Sequence, residues 1–325
     1  MEQRGLSGRG VSVIGLGAWQ LGADWGEVNE EEAFALLDAA GAAGITVIDT
    51  ADVYGDGRSE RLIGQWLASN RESSVTVATK MGRRVEQRPE LFTLEAMCAW
   101  NDRSRENLGV DTVDLVQLHC PPTALYSRDS FFDDLDTMVA EGRMRASGFS
   151  VETCEEALSA IARPGVASIQ IILNVLRLKP LERVLPAAEA AGVAIIARVP
   201  LASGLLSGRY DASTTFAADD HRSYNRHGEA FDVGETFSGV PFEVGLAAVR
   251  ALREFVPGGV SLAGFALRWI IDQPGVTTVI PGARNREQVE SNASAAGLAP
   301  LTADELVGVR SVYDHYVREL AHERW

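Results

Sequence analysis

Ile45-Thr46-Val47-Ile48-Asp49-Thr50-Ala51-Asp52-Val53-Tyr54-Gly55 is a β-branched apolar run that breaks abruptly into acidic, small and glycine residues. Such a stretch reads as a buried strand emptying into a loop, with the Asp49 carboxylate and the Tyr54 phenol at its C-terminal mouth. Two later runs repeat the arrangement: Val75 to Thr79 ends at Lys80, and Val113 to Leu118 ends at His119. Carboxylate, phenol, ammonium and imidazole at successive strand ends are groups suited to giving a proton to a carbonyl oxygen as it becomes an alkoxide.

Working outward, strand-like and helix-like segments alternate almost to the end of the chain, the pattern of a parallel sheet wrapped by helices. Strands are expected near 11–16, 45–49, 75–79, 113–118, 144–149, 167–172, 193–197 and 277–280. Amphipathic stretches such as Glu30 to Ala43, Ser59 to Ser69, Leu94 to Leu108, Ser130 to Glu141, Cys154 to Ala162 and Leu181 to Ala191 lie between them. Eight βα units favour a closed (β/α)8 TIM barrel of the α/β class over an open sheet, and residues 1–325 are expected to form one domain. In that fold chemistry gathers at the strand C-termini, where Asp49, Lys80, His119, Ser150, Gln170 and Arg198 are expected. Two segments break the alternation. Ala202 to Pro241 has no helical or strand period and is expected to lie over the mouth as a solvated lid after the seventh strand. Leu301 to Ala321 reads as an extra C-terminal helix.

Composition narrows the partners. The 325 residues carry a formal net charge of −15, so neither nucleic acid nor an anionic membrane is an expected partner, and a phosphate would need a local basic patch. No apolar run approaches the ~18 residues of a membrane span, and Met1-Glu2-Gln3-Arg4-Gly5 does not resemble a signal peptide. Cys98, Cys120 and Cys154 are scattered without a disulfide or metal pattern, so a cytoplasmic location is expected.

A tyrosine in water titrates near pH ~10, so Tyr54 needs a neighbouring charge to serve as an acid-base group. Lys80 would supply that charge, Asp49 would hold the lysine, and His119 could donate to the same carbonyl oxygen. The plainer account makes Asp49 a turn cap, Lys80 a snorkelling side chain and His119 a core residue; the recurrence at successive strand ends favours chemistry. Gly15-Leu16-Gly17 lacks the third glycine of a dinucleotide fingerprint, since position 20 is Gln20. A tight turn leaving the first strand explains it, and Trp19 and Trp25 then become candidate walls of a substrate pocket. His221 and His227 with Asp219 and Asp220 have no familiar ligand spacing, and no metal is expected there.

The chain resembles the aldo-keto reductases over nearly its whole length. The resemblance runs through Val13-Ile14-Gly15-Leu16-Gly17-Ala18-Trp19, Asp49 to Gly55 with Ser59-Glu60, Ala78-Thr79-Lys80 and Asp114 to His119. It continues in Gly148-Phe149-Ser150, Pro200 to Gly208 and Ile280-Pro281-Gly282-Ala283-Arg284. It implies a barrel that binds a nicotinamide dinucleotide without a Rossmann domain and moves hydride between that cofactor and a carbonyl or alcohol. Tyr54 is then the acid, tuned by Asp49, Lys80 and His119, and the substrate pocket comprises Trp19, Trp25, Tyr54 and His119.

The same resemblance sets the cofactor against Gly17, Ala18, Trp19, Arg198, Pro200 and Leu201. Ser150 and Gln170 match positions that hold the nicotinamide carboxamide, with Asn174 close by in sequence. Small residues let backbone amides approach a pyrophosphate along Ser203, Gly204, Leu205, Ser207 and Gly208. Gly282, Arg284, Gln288 and Asn292 face the adenosine end, the last three at i, i+4 and i+8 from the expected start of a helix. Three positions depart from the family pattern: Val151 replaces an asparagine, Arg198 stands where an aromatic ring is common, and Gly282 stands where many NADPH-dependent relatives carry lysine. Arg284, with Arg286 nearby, favours NADP, with NAD as the alternative. The reading is an NAD(P)H-dependent reductase of a small aldehyde or ketone. A sugar or alcohol dehydrogenase running oxidatively, or a cofactor-binding regulatory subunit with little turnover, are the alternatives.

Overall fold

The structure, a computed structural model, describes residues 1–22 and 28–325. Ten strands are assigned among them. β1 (Gln3–Leu6) and β2 (Arg9–Ser12) form an antiparallel hairpin, and β3 (Leu16–Gly17), β4 (Val47–Asp49), β5 (Thr76–Met81), β6 (Leu115–His119), β7 (Ser147–Ser150), β8 (Val166–Ile172), β9 (Ala194–Arg198) and β10 (Val276–Val279) pair in parallel in sequence order. The edges of this sheet meet. Ile14 bridges Val279 and Gly17 bridges Gly282, and the amide of Gly15 donates to the Val279 carbonyl at 2.8 Å. The sheet is therefore a closed barrel, as the eight-unit pattern predicts.

The expected first strand at 11–16 needs correcting. Ser7 and Gly8 both adopt positive φ, 48° and 79°, as a two-residue hairpin turn demands. Arg9–Ser12 consequently folds back on Gln3–Leu6, and only Leu16–Gly17 remains a regular barrel strand. Leu6 and Val11 of the hairpin join Val47, Ala78, Leu115, Ala146, Ala194, Ile196 and Ile280 in one buried cluster that plugs the bottom of the barrel. The side-chain period of two then carries the next inward positions toward the mouth, and there the lining turns polar: Asp49, Lys80, Gln117, Gln170 and Arg198 are all buried.

The helices cover the outer face. Glu30–Ala42 starts at an Asn29–Glu32 capping box, and Arg58–Ser69, Leu94–Leu108, Asp129–Ala140, Cys154–Ile161 and Pro180–Ala191 follow the successive strands. Phe242–Leu252 and Leu262–Ile271 return the chain from the long loop to β10, and Arg286–Ser294 follows it. The extra helix runs over Ala303–Tyr316 from a Thr302–Glu305 capping box, with a further turn at Arg318–Ala321. Among the described residues no helix is long and apolar enough to cross a membrane.

Candidate active site

Asp49 ends β4, Lys80 lies one residue before the end of β5 and His119 ends β6, so the pairing of adjacent parallel strands brings them together. Tyr54 follows in the turn after β4. The Lys80 ammonium, 1% exposed, spends its three donors on Asp49 Oδ2 at 2.6 Å, the Thr50 carbonyl at 2.8 Å and Tyr54 Oη at 3.2 Å. Because lysine donates to the phenol oxygen, the phenol's own hydrogen is left to point elsewhere. Burial raises the Tyr54 pKa, opposed by the Lys80 charge, and the net direction is upward, so the neutral, proton-bearing phenol is the resting form. Burial pushes against the Lys80 charge while Asp49 supports it, and the net effect keeps the lysine protonated.

His119 lies edge-on to Tyr54, ring centroids 6.1 Å apart. Burial, followed by Arg83, Lys80 and Arg198, pushes its pKa well below the ordinary range. It is a neutral imidazole, able to give a hydrogen bond but not to hold an extra proton. Asp49 is held from its other side as well: Gln170 donates to Oδ1 at 2.7 Å, and Gln117 approaches the same oxygen at 3.4 Å. Gln117 escaped the sequence reading. Its signal was the alternation Leu115, Gln117, His119 on one strand face, with a buried amide between an apolar residue and the imidazole.

Asp52, in the same turn, is 1% exposed and neither carboxyl oxygen has a hydrogen-bond partner. Burial first, then the charge of Glu60, raises its pKa to about 7 against the pull of Arg84 and Arg103. Glu60 itself is fully buried, accepting from Thr79 Oγ1 at 2.5 Å and Asn107 Nδ2 at 2.9 Å.

Trp19 stacks on Tyr54 at 6.1 Å between centroids with 25° between planes, and also touches His221 at 5.2 Å and Phe231 at 6.2 Å. Trp25 lies outside the described residues. The expectation of a solvated lid is overturned at His221, which is 1% exposed. The aromatic contacts with Trp19 and Phe231 pull it out of water, and burial takes its pKa down to about 4. Asn225, Thr236, Phe237 and Ser238 of the same segment are also buried. Among the described residues no group of His, Cys, Asp and Glu is arranged to hold a metal.

The cofactor candidates fall into three places. Ser150 and Gln170 are paired in register across β7 and β8. Among the described residues the Ser150 hydroxyl takes only a 3.9 Å contact from the Cys120 thiol, whereas Gln170 is committed to Asp49 through its amide nitrogen. Arg198 ends β9 with its guanidinium on the Val151 carbonyl at 2.9 Å and on the Glu235 carboxylate. Burial works against the Arg198 charge, and Glu235 overrides it and keeps the group charged. Glu235 was missed because it sits in an aperiodic loop. Asn174 serves the backbone instead: its Nδ2 donates to the Val199 carbonyl and Ser238 Oγ, both at 2.9 Å, and its Oδ1 accepts from Leu176 N at 2.8 Å. Val199 is held at φ 51°, a conformation costing a β-branched residue on the order of 1–3 kcal/mol that surrounding bonds must enforce.

Second, Ala202, Ser203, Gly204 and Gly208 follow Pro200-Leu201 with φ of 47°, 54°, 90° and 70°. Leu205 and Ser207 complete this turn, a run of left-handed residues of the kind that gathers backbone N–H groups into an anion-binding concavity. Any Cβ at Gly204 would collide with the Tyr210 hydroxyl. That hydroxyl accepts from Arg222, and Arg284 and Arg209 lie close enough to act on its ionisation. Arg253 donates to the Gly208 carbonyl at 2.6 Å. Arg222 is paired with Asp220, so the positive charge beside this turn in a protein of net charge −15 is that of Arg209, Arg253 and Arg284.

Third, the helix after β10 begins at Arg286 behind the N-cap Asn285, so Arg284 precedes the cap instead of opening the helix. The register on one face survives, because Gln288 Oε1 accepts from Arg284 N at 2.8 Å and Asn292 Nδ2 donates to the Gly282 carbonyl at 3.2 Å. Arg284 is exposed, and Arg286 pairs with Glu290 at 2.7 Å. Gly282 packs against Gln20, and a Cβ there would overlap the Gln20 amide. Gly17, Ala18 and Gly282 adjoin where the barrel closes, with Gly17 N donating to the Pro281 carbonyl at 3.0 Å and Ala18 N to the Asp49 carbonyl at 2.8 Å.

With this geometry in view, the aldo/keto reductase family model matches residues 13–314. The chain belongs to the aldo/keto reductase family. Among its relatives, the aldo-keto reductase str7 of Strobilurus tenacellus is 33% identical over 93% of this chain and 89% of its own. The solved glycerol dehydrogenase AKR11B4 from Gluconobacter oxydans superposes with a TM-score of 0.79 at 29% identity, covering 97% of this chain and 96% of its own. The holo form of aldo-keto reductase AKR11C1 from Bacillus halodurans gives 0.78 at 26% identity over 99% and 100%. Family membership makes this aldo/keto reductase an oxidoreductase.

Proposed function

We propose that this aldo/keto reductase moves hydride between a nicotinamide dinucleotide and a small aldehyde or ketone, with Tyr54 as the proton donor. The observation that carries the reading is the Lys80 ammonium set between Asp49 Oδ2 at 2.6 Å and Tyr54 Oη at 3.2 Å, next to a neutral His119. The residues fit a dinucleotide: the left-handed turn at Ala202–Gly208 with its arginines suits the phosphates, and the scarcely bonded Ser150 hydroxyl suits a carboxamide. When bound, the dinucleotide supplies or accepts the hydride.

The chain's own residues supply the other half of the reaction. Tyr54 gives its phenolic proton to the carbonyl oxygen as that oxygen gains negative charge, so hydride plus proton convert C=O to an alcohol. Lys80 lowers the cost of the phenolate left on Tyr54, and Asp49 holds the lysine in place. His119 donates an N–H to the same oxygen without changing its own charge. In the reverse direction Tyr54 takes the proton back, and the glycerol dehydrogenase relative favours testing alcohols too. Arg284, with Arg209 nearby, favours the 2′-phosphate of NADP over NAD.

The test is direct binding of NADPH and NADH, followed by single-turnover reduction of a nitrobenzaldehyde and oxidation of small polyols with the tighter cofactor. Dinucleotide binding with turnover on a carbonyl or alcohol supports the reading. Binding without turnover on any of them would favour a regulatory subunit, and absence of binding would remove the reading altogether.

A further inference from the structure

We infer that Trp325 and Arg177 are positioning residues: together they hold the turn that brings Glu235 to Arg198, and so set the nicotinamide end of the cofactor site. The last clause rests on the proposed function; the placement of the turn does not. Arg177 is 3% exposed, and its Nε and Nη1 are buried without hydrogen-bond partners. Its guanidinium carbon lies 3.6 Å from the ring centroid of Trp325. A buried cation with two of its three nitrogens unbonded is costly unless a ring face or a carboxylate offsets it, and both are present. Trp325, itself 4% exposed, donates Nε1–H to Asp232 Oδ1 at 3.0 Å and Oδ2 at 3.1 Å. Burial pulls the Arg177 pKa down to about 9, and the Asp232 charge opposes that fall. The indole therefore joins cation and anion, its face on one and its N–H on the other.

The turn is shaped against this ring. Asp232 caps Val233–Glu235, accepting from Gly234 N at 2.7 Å. A Cβ at Gly234 would meet Trp325 at 3.0 Å and collide with Arg177, and one at Gly239 would collide with the indole. Glycine at both places lets the backbone lie on the tryptophan. The same turn has a second set of attachments on the barrel side. Glu235 pairs with Arg198, the Glu235 carbonyl accepts from Ser203 Oγ at 2.7 Å, and Phe237 N donates to Ser203 Oγ at 3.1 Å. Arg177 also donates to the Glu152 carbonyl at 3.1 Å, next to Val151, whose carbonyl takes Arg198. One compact turn thus couples Trp325 to the end of β9 and to the candidate phosphate turn.

The experiment compares Trp325→Ala and Trp325→Phe with the parent by amide hydrogen exchange without cofactor, and by equilibrium binding of NADPH. Trp325→Ala should speed exchange at Val233–Gly239 at least about tenfold while Leu94–Leu108 on the far side stays protected, and should weaken NADPH binding by about tenfold or more. Trp325→Phe keeps a ring under Arg177 but loses the N–H to Asp232, and should fall between the two. If Trp325→Ala does not fold, the same readouts on Trp325→Phe decide the question. Unchanged exchange at Val233–Gly239 in a folded variant overturns the inference. So does faster exchange accompanied by unaltered NADPH affinity, which would leave Trp325 as packing alone. A parent protein that binds no dinucleotide would instead remove the proposed function, and the exchange data would still decide whether Trp325 places the turn.

Discussion

The guanidinium of Arg198 donates to the carbonyl of Val151 at 2.9 Å, so two of the positions at which this chain departs from its family pattern touch each other. Arg198 takes the backbone carbonyl of Val151 and has Glu235 as its counter-charge. Removing one partner of a buried ion pair costs about 3–5 kcal/mol. Arg198→Phe is therefore expected to be strongly destabilised in urea, and Arg198→Phe/Glu235→Gln to regain most of that loss. A double variant no more stable than the single one would show that the charge pairing is unimportant.

Tyr54→Phe removes the transferable proton while keeping the ring against Trp19. Single-turnover reduction should slow by about a hundredfold or more, with NADPH affinity near the parent value. A single-turnover rate close to that of the parent would exclude Tyr54 as the donor.

Lys80→Met strips Asp49 of its cation in a site where both are buried. Stability should drop by about 3–5 kcal/mol, and the basic limb of any residual activity should move to higher pH, because Lys80 opposes the burial-driven rise in the Tyr54 pKa. Asp49→Asn/Lys80→Met should recover stability without recovering rate. Recovery of both would make the pair structural.

Asp52 supplies a pH signature independent of turnover. Its carboxyl titrates at about 7 in the fold against a reference of 3.8, so between those values the native state holds a proton the unfolded chain has released. Its contribution is intact below about pH 4, declines as pH rises, and reaches its full penalty above about pH 7. Asp52→Asn should therefore gain in Tm over the parent progressively from acid to neutral pH. A constant difference across that range would contradict the assignment.

Arg284→Ala should weaken NADPH binding by about tenfold to a hundredfold, the scale of a charge-assisted contact of about 1.5–3 kcal/mol, and leave NADH binding nearly unchanged. Equal losses for both would mean that Arg284 meets adenine or the shared diphosphate.

What the sequence disclosed follows from which forces are local. The strand ends were legible because Asp49, Lys80 and His119 interrupt apolar runs at points where a parallel barrel converges them. The expected first strand differs because Val11, Val13 and Ile14, broken only by Ser12, read as one β-branched stretch, although Ser7-Gly8 carries the turn signal. The packing of Ala202 to Pro241 was hidden for a different reason. Its order comes from contacts with residues far along the chain, Arg198, Asn174 and Trp325, and those leave no period in the segment itself. Gln117 was readable in principle, by alternation; Glu235 and Trp325 were not.

Gly282 and Gln20 occupy one shared volume, so whatever stands at one position constrains the other. A lysine installed at position 282 on the present background would bring its first carbon onto the Gln20 amide, which would have to turn aside. Shortening Gln20 first opens the space and also retires its buried, unsatisfied Oε1. A side chain at position 282 and the rotamer of Gln20 are therefore set together, and a shorter residue at position 20 leaves room for either.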